Sequence, residues 1–368
     1  MVVTRLRLRG FRTHERVEVR LGPGLTVVHG RNGIGKTNLV EGLYFGCTAR
    51  SCRTSNEREC VAFDADAARV EVDTVDRHGD EHALSVGFQP GEPKRIRVDD
   101  ALVERLVDHP ARPLVSVFLP DRLELVKGPP ALRRAHLDQV VSALWPSRTA
   151  TRRSYKQALA QRNALLGRVR AGYVGREAMA PWDLELGRHA LALCADRAET
   201  VALLQPGFVQ IAAELGLAGA PELRYRPRTK ADSPEGFAAE LAERLDGDLE
   251  RGFTGHGPHR DDLALLRDGR ELRVYGSQGE QRLGLLALLL CEREALEEVR
   301  GAAPLMVLDD VMSELDADRR GLLVARLRRA GQSVITTTDL AHVPGGGEAD
   351  VVRIAVTEDG VLQEAQAA

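Results

Sequence analysis

Residues Gly30-Arg31-Asn32-Gly33-Ile34-Gly35-Lys36-Thr37 satisfy the pattern G-x-x-x-x-G-K-[ST] at every position. A strand pattern precedes them at residues 25–29, and a helical pattern follows through Leu39, Val40, Leu43 and Tyr44. This context makes the stretch a phosphate-binding loop and commits the chain to an α/β fold. The glycines let successive backbone N–H groups turn inward around phosphate oxygens, and the helix N-terminus adds partial positive charge. Lys36 supplies a point charge for β and γ phosphates, and the Thr37 hydroxyl is placed to ligate Mg²⁺. Only five of the 51 basic residues are lysines, and one of them stands at 36. There a compact ammonium fits between phosphates where a guanidinium fork would not.

Such a loop needs a carboxylate from a neighbouring strand. Pro304-Leu305-Met306-Val307-Leu308-Asp309-Asp310 offers a buried strand with acids at its C-terminal end, where α/β sheets collect ligands. Asp309 is the second metal candidate, and Asp310 is the candidate for orienting or activating the attacking water. Asp309 lies 273 residues beyond Lys36, so a large insertion is expected within a single nucleotide-binding sheet. Residues 1–120 read as mostly sheet, 121–250 as helical, and 251–368 as α/β again. In the helical part, patterns at residues 131–145, 148–171 and 181–217 predict three helices, the last two forming a short antiparallel hairpin across Gly172-Tyr173-Val174-Gly175. Further helices are expected at 280–299 and 317–329, and strands at 305–308, 333–337 and 351–356.

The longest apolar run, from Leu283 to Cys291, is far short of the roughly 20 residues that span a bilayer. The N-terminus alternates charged and apolar residues, unlike a secretory signal, so the expected compartment is the cytoplasm. Cys47, Cys52 and Cys60 lack zinc-ligand spacing and read as buried reduced thiols. The net charge of -3 hides a segregation: between Asp121 and Arg176, ten arginines and two lysines face three acids. That imbalance suits either an arginine-rich solvated face or a polyanionic partner, and acids at i, i+4 are nearly absent. Arg133, Arg134, Arg152, Arg153 and Lys156 are the candidate DNA contacts, through phosphates rather than base edges.

Two further stretches admit two readings each. Ser277 and Gly279 in Tyr275-Gly276-Ser277-Gln278-Gly279-Glu280-Gln281 stand at a helix start, either as a cap or as a hydroxyl and N–H groups offered to an anion. His256, His259, Asp261 and Asp262 form either a metal cluster or, given Gly255, Gly257 and Pro258, a tight loop.

Taken together these motifs resemble a known family. Ser277-Gln278-Gly279-Glu280-Gln281 is similar to the signature of ABC-type ATPases, and Ser313-Glu314-Leu315-Asp316 to their D-loop. Gly10-Phe11-Arg12-Thr13-His14 resembles the opening of the SMC branch. With Phe118-Leu119-Pro120-Asp121 and Gly257-Pro258-His259-Arg260-Asp261-Asp262, the chain from about Val3 to Ile354 resembles the RecF family of recombination and repair proteins. The resemblance implies an ABC/SMC-type ATPase head with an inserted helical lobe, and ATP with Mg²⁺ held by Gly30 to Thr37. It adds Ser277, Gln278, Gly279, Glu280 and Asp316 to the nucleotide-binding residues. Arg12 is either an exposed strand residue or, by resemblance, one near the nucleotide.

The resemblance further implies an ATP-dependent homodimer in which the P-loop of one chain faces Ser277 of the other. It implies binding to double-stranded DNA with a preference for gapped or junction DNA, and a role with RecR and RecO in placing RecA during DNA repair, replication and the SOS response. In two places the sequence departs from the ABC pattern. Asp310 stands where Glu is common, and Thr336-Thr337-Thr338-Asp339 offers no switch histidine before His342. The shorter carboxylate leads to an expectation of slow hydrolysis, and no glutamine is assigned to the Q-loop. The alternatives are the ATPase subunit of a membrane transporter, which predicts compact motif spacing and no basic segment, and the ATPase partner of a nuclease. For the latter, only about 50 residues follow Asp316 to hold a further acidic cluster.

Overall fold

Charged and apolar side chains alternate along the N-terminal residues, so β1 (Val2–Phe11) turns Leu6 and Leu8 into the core and Arg5 and Arg7 outward. The computed structural model describes residues 1–106, 109–329 and 331–363. It forms two units: Met1–Arg122 with Glu214–Gly216 and Leu296–Ala368, and Leu123–Ala213 with Leu217–Ala295. In the first unit β1 pairs antiparallel with β2 (His14–Arg20), and β3 (Leu25–His29) leads through the phosphate loop to α1 (Lys36–Thr48). Then come β4 (Ala68–Val75), β5 (Glu81–Phe88), β6 (Arg95–Val98), β7 (Ala101–Leu102) and β8 (Val115–Phe118). Antiparallel pairing gives a six-stranded sheet in the order β2-β1-β4-β5-β6-β7. On its outer face Arg5 and Arg7 bond Asp73 across the β1–β4 ladder. The inner face packs on α1, where Gly42 and Gly46 make room: a Cβ at Gly46 would lie 2.4 Å from Val72 Cγ2, and one at Gly42 would lie 2.6 Å from Leu8 Cδ2.

The second unit holds α2 (Glu124–Lys127), α3 (Pro130–Leu144), α4 (Thr149–Arg170) and α5 (Met179–Glu214). Pro130 at the first helical position and Pro146 just beyond the end set the limits of α3. Helices α4 and α5 run antiparallel, since Arg148 pairs with Glu199 and Arg162 with Asp183. The unit continues with β9 (Pro221–Arg226), α6 (Pro234–Ala242), α7 (Leu245–Arg251), β10 (Asp262–Arg267), β11 (Arg270–Glu271), α8 (Leu272–Tyr275) and α9 (Gln278–Arg300), whose last turn from Leu296 belongs to the first unit. A three-stranded antiparallel sheet, β11-β10-β9, lies within it.

Back in the first unit, β12 (Leu305–Leu308), α10 (Ala317–Arg329), β13 (Ser333–Thr337), β14 (Val352–Thr357) and β15 (Gly360–Gln363) complete a second six-stranded sheet, β15-β14-β3-β13-β12-β8. It is parallel except for the β14–β15 hairpin. Its strands β12 and β13 are wholly buried, which accounts for their unbroken apolar runs. Helix α1 packs against strands of both sheets.

Two expectations are corrected. The expected single sheet is joined by a second, because the N-terminal strands pair among themselves; the two sheets meet through α1, through β2 beside β15, and through Gln332, whose side chain bonds the Val3 backbone. The second unit also runs beyond residue 250, to Ala295, because Asp262 at the head of β10 is forked by Arg133 of α3, with bonds of 2.7 and 3.0 Å.

The second unit is tied by buried charge. Arg162, fully buried, donates to Asp183 (2.6 Å), Asp248 (2.9 Å) and Thr254 (2.7 Å). Arg197 donates to Asp138 (2.8 Å), Asp261 (3.0 Å) and the Pro258 carbonyl (2.8 Å). Removing one member of such a network strands the others in low dielectric. Arg162→Met should therefore cost about 3–5 kcal/mol of unfolding free energy. Urea denaturation checks this, and a loss under about 1 kcal/mol, the value of an exposed pair, contradicts it.

Candidate nucleotide-binding site

The phosphate loop connects the C-terminal end of β3 to α1. Gly35 takes φ +113 and leads straight into the helix at Lys36, with no side chain capping the first turn. A Cβ there would lie 2.9 Å from Thr13 Oγ1 and 3.2 Å from His14 Cε1, so glycine is required for sterics as well as for conformation. His14 is buried, and its Nε2–H donates to the Gly35 carbonyl at 3.1 Å. Lys36 folds back over the loop and donates to the carbonyls of Gly30 (2.7 Å) and Arg31 (2.9 Å). Burial lowers the Lys36 pKa, against the opposing pull of Asp310 and Asp309. Arg31, Asn32 and Gly33 are exposed, and Ile34 is half-buried.

Parallel pairing of β3 with β13 and of β13 with β12 brings Asp309 beside the loop. The Asp309 carboxylate accepts from Thr37 Oγ1 at 2.8 Å and from Thr336 Oγ1 at 2.6 Å. Burial pushes its carboxyl pKa up, and the two hydroxyls oppose that shift only in part. Asp310 sits in the left-handed region at φ +50, its N–H donating to Thr336 Oγ1 at 2.9 Å. Its Oδ1 is buried without a hydrogen-bond partner. A cleft of about 290 Å³ is lined by Asn32, Gly33, Lys36, Thr37, Asp309 and Asp310, together with Asn38, Arg53 and Thr336.

These last three residues escaped the sequence reading. Thr336 carried a signal, as a hydroxyl at the C-terminal end of a buried strand beside β12. Arg53 carried none, since its position depends on Glu41. Glu41, fully buried on α1, accepts a fork from Arg12 at 2.9 and 2.8 Å, the Ser51 hydroxyl at 2.5 Å and Arg53 at 3.2 Å. Burial resists its ionisation, but the Arg12 fork, Ser51 and Arg53 together hold the carboxyl below its usual range. Arg12 thus stands one ion pair behind the cleft. Arg53 reaches the cleft and also donates to Asn38 Oδ1 at 3.0 Å.

In the second unit Ser277 caps α9 reciprocally. Its N–H donates to Glu280 Oε2 at 2.8 Å while its Oγ accepts from the Glu280 N–H at 3.3 Å, forming a capping box. Ser277, Gln278 and Gly279 are exposed, and Glu280 is also bonded by Arg267. Gln281 points inward, donating to the carbonyls of Leu272 (2.9 Å) and Gly276 (3.0 Å), which fixes the loop before the cap. Back in the first unit, Asp316 caps α10 by accepting from the Arg319 N–H at 2.9 Å.

The candidate DNA contacts divide. Arg133 is corrected: it is 3% exposed and occupied by Asp262 and the carbonyls of Val126 and Gly128, so it belongs to the core. Arg134 is half-buried and donates to the Asp261 carbonyl at 2.8 Å, and Arg152 pairs with Asp138 at 3.0 Å. Arg153 and Lys156 are exposed on α4. The His256 to Asp262 stretch is a structural loop. His256 pairs with Glu240 at 2.6 Å, and His259 bonds Tyr155 at 2.7 Å with its pKa pushed down to about 4, chiefly by burial. Among the described residues no group of three or more His, Cys, Asp and Glu is placed to hold a metal. The five cysteines are free thiols, with Cys47 and Cys60 buried and Cys52 half-buried.

Residues 5–103 match an AAA domain family. The chain is 40% identical over 362 residues to the DNA replication and repair protein RecF of Acidothermus cellulolyticus, covering 94% of this chain and 96% of that one. It is 37% identical over 350 residues to RecF of Anaeromyxobacter sp., covering 92% and 93%. A solved RecF-ATP structure, of the recombination mediator protein in the RecFOR pathway, superposes with a TM-score of 0.85 at 26% identity, covering 99% and 98%. An Smc head domain from Pyrococcus furiosus shares the fold with a TM-score of 0.60 at 16% identity, covering 99% of this chain and 96% of that one. The chain therefore belongs to the RecF family of DNA replication and repair proteins.

Proposed function

We propose that this chain is an ATP-gated DNA-binding protein of recombinational repair, in which ATP joins two copies head to head and slow hydrolysis parts them. The observation that carries the reading is the meeting of Thr37 and Asp309 in the cleft that Lys36 also lines, with the unpaired Asp310 oxygen in the same cleft. Family membership displaces the transporter and nuclease-partner alternatives. No helix among the described residues is long and apolar enough to cross a membrane.

The residues suit Mg²⁺. Thr37 and Asp309 supply hard oxygen donors, and among the described residues no salt bridge reaches the buried Asp309 carboxylate, which feels Arg53 and Lys36 only at longer range. When bound, Mg²⁺ would neutralise charge on the phosphate oxygens. The chain does the rest. Loop N–H groups and the α1 N-terminus hold the phosphates, while Lys36 exchanges its carbonyl partners for phosphate oxygens. Asp310 accepts a proton from the attacking water or orients it. Ser277, exposed at the start of α9, offers its hydroxyl to the γ-phosphate bound by the other copy. Arg153 and Lys156 take DNA phosphates on the closed dimer. With RecR and RecO, the cycle helps to place RecA on gapped DNA in the cytoplasm.

A carboxyl whose pKa is raised in the fold costs stability once pH rises through that pKa, and a cation that pairs with it returns the loss. The rise in melting temperature given by Mg²⁺ with ADP, over ADP with chelator, should therefore be full above the raised Asp309 pKa and shrink as pH falls through it. In Asp309→Asn this metal-dependent rise should vanish, and a wild-type shift that does not change with pH contradicts the assignment. Sedimentation velocity tests the gate. Wild type should dimerise with ATP and not with ADP, Ser277→Arg should stay monomeric in both, and Asp310→Asn should remain dimeric with ATP. Turnover without DNA should fall below the ~10 s⁻¹ typical of enzymes. An ATP-induced dimer in Ser277→Arg, or faster turnover, would overturn the scheme.

A further inference from the structure

Helices α4 and α7 both end in a left-handed glycine followed by an exposed aromatic residue. Gly172 has φ +76 and precedes Tyr173, which is 80% exposed; Gly252 has φ +78 and precedes Phe253, 40% exposed. The α4 end is a full Schellman motif, with the Tyr173 N–H donating to the Arg168 carbonyl at 3.0 Å and the Gly172 N–H to the Val169 carbonyl at 3.0 Å. In this motif the residue after the glycine commonly packs back on the last helical turn. Here the positions it would meet are Gly167 and Arg168, which offer no apolar side chain, so a well-held backbone presents the Tyr173 ring to solvent.

The two ends lie together. Leu166, Met179 and Leu249 form one buried cluster, and Arg170 Nη1 comes within 2.9 Å of where a Gly252 Cβ would stand. Arg260 lies over the Phe253 ring at 5.5 Å, and Arg251 lies at 5.9 Å. Arg168, Arg170 and Arg260 are exposed and have no ion pair among the described residues, whereas Asp246 is taken by Arg176 and Asp248 by Arg162 and Arg251. The exposed acids at this end, Glu177 and Glu250, pair with none of the three arginines.

From this arrangement we infer that the turn end of the helical hairpin is a binding patch for unpaired nucleotides, with bases stacking on Tyr173 and Phe253 and phosphates held by Arg168, Arg170 and Arg260. Exposed rings beside unpaired guanidinium groups are the chemistry by which single strands are held. A duplex keeps its bases stacked and gives Tyr173 nothing to cover it. Both rings stand at helix C-termini, whose partial negative charge disfavours phosphate and leaves that task to the arginines. The inference rests on the DNA-binding reading above and adds which part of a DNA the hairpin end recognises.

The test is ATP-dependent binding of the full chain, by fluorescence anisotropy, to a blunt duplex and to the same duplex carrying a single-stranded tail. Wild type should prefer the tailed DNA. Tyr173→Ala should weaken tailed-DNA binding about ten-fold, the scale of one lost base stack. It should leave the blunt duplex and the salt slope unchanged, and Tyr173→Trp should keep the preference. Arg168→Gln should lower the salt slope on tailed DNA by about 1. Tyr173→Ala binding both DNAs as wild type does, or losing both equally, would overturn the patch while the DNA-binding reading stands. So would normal binding of both DNAs with loss of a protein partner. Wild type that binds neither DNA would overturn both.

Discussion

Thr37 and Asp309 meet through one hydrogen bond of 2.8 Å, and the nucleotide site depends on that junction. One residue opens α1 and the other follows β12, so the contact exists only when β3, β13 and β12 pair in parallel and in register. Each partner constrains the other. A buried carboxylate without a salt bridge raises the free energy of the fold, and two hydroxyls offset only part of that cost. In the proposed cycle a metal–phosphate group would relieve that local imbalance. Lys36 shows the same feature, since a buried ammonium satisfied by two backbone carbonyls is free to exchange them for phosphate oxygens.

The second unit solves a different problem with the same materials. Its long helices carry many arginines, and several are turned inward to hold acids from distant segments: Arg133 with Asp262, Arg162 with Asp183 and Asp248, Arg197 with Asp138 and Asp261. Buried pairs of this kind add less net stability than hydrophobic packing but fix geometry strongly. The Gly257 to Asp262 stretch is where much of this network converges, which accounts for its glycines, its proline and its paired acids without invoking a metal. The charge left at the surface is therefore smaller than the sequence suggests, and concentrated on the outer side and far end of α4.

How far the chain could be read from its sequence follows from the range of each interaction. Strands β3, β12 and β13 and helix α10 have the limits that their patterns predict, because a fully buried parallel strand is an unbroken apolar run between turn residues, and α10 is amphipathic with a polar start. The phosphate loop was legible because backbone geometry dictates its glycines. The separate antiparallel sheet was not, since alternation identifies strands without naming their partners. The burial of Arg133 was equally hidden, for its partner lies 129 residues away and leaves no local mark. Arg53 enters the cleft through Glu41, an acid that looks on sequence like any other on a helix. The short β9, β10 and β11, and with them the true extent of the second unit, went unseen because their register is set by contacts with each other and with α3.

The central claim is that each ATP is held by the phosphate loop of one copy and Ser277 of a second. Mixing two inactive chains, Lys36→Ala and Ser277→Arg, tests it most directly. In a composite site the mixed dimer has one intact pair, the phosphate loop of the Ser277→Arg chain facing Ser277 of the Lys36→Ala chain. The account predicts that mixing restores ATP hydrolysis that neither chain shows alone, rising to a maximum near equal proportions. Hydrolysis by the mixture no greater than the sum of the two separate chains would contradict it.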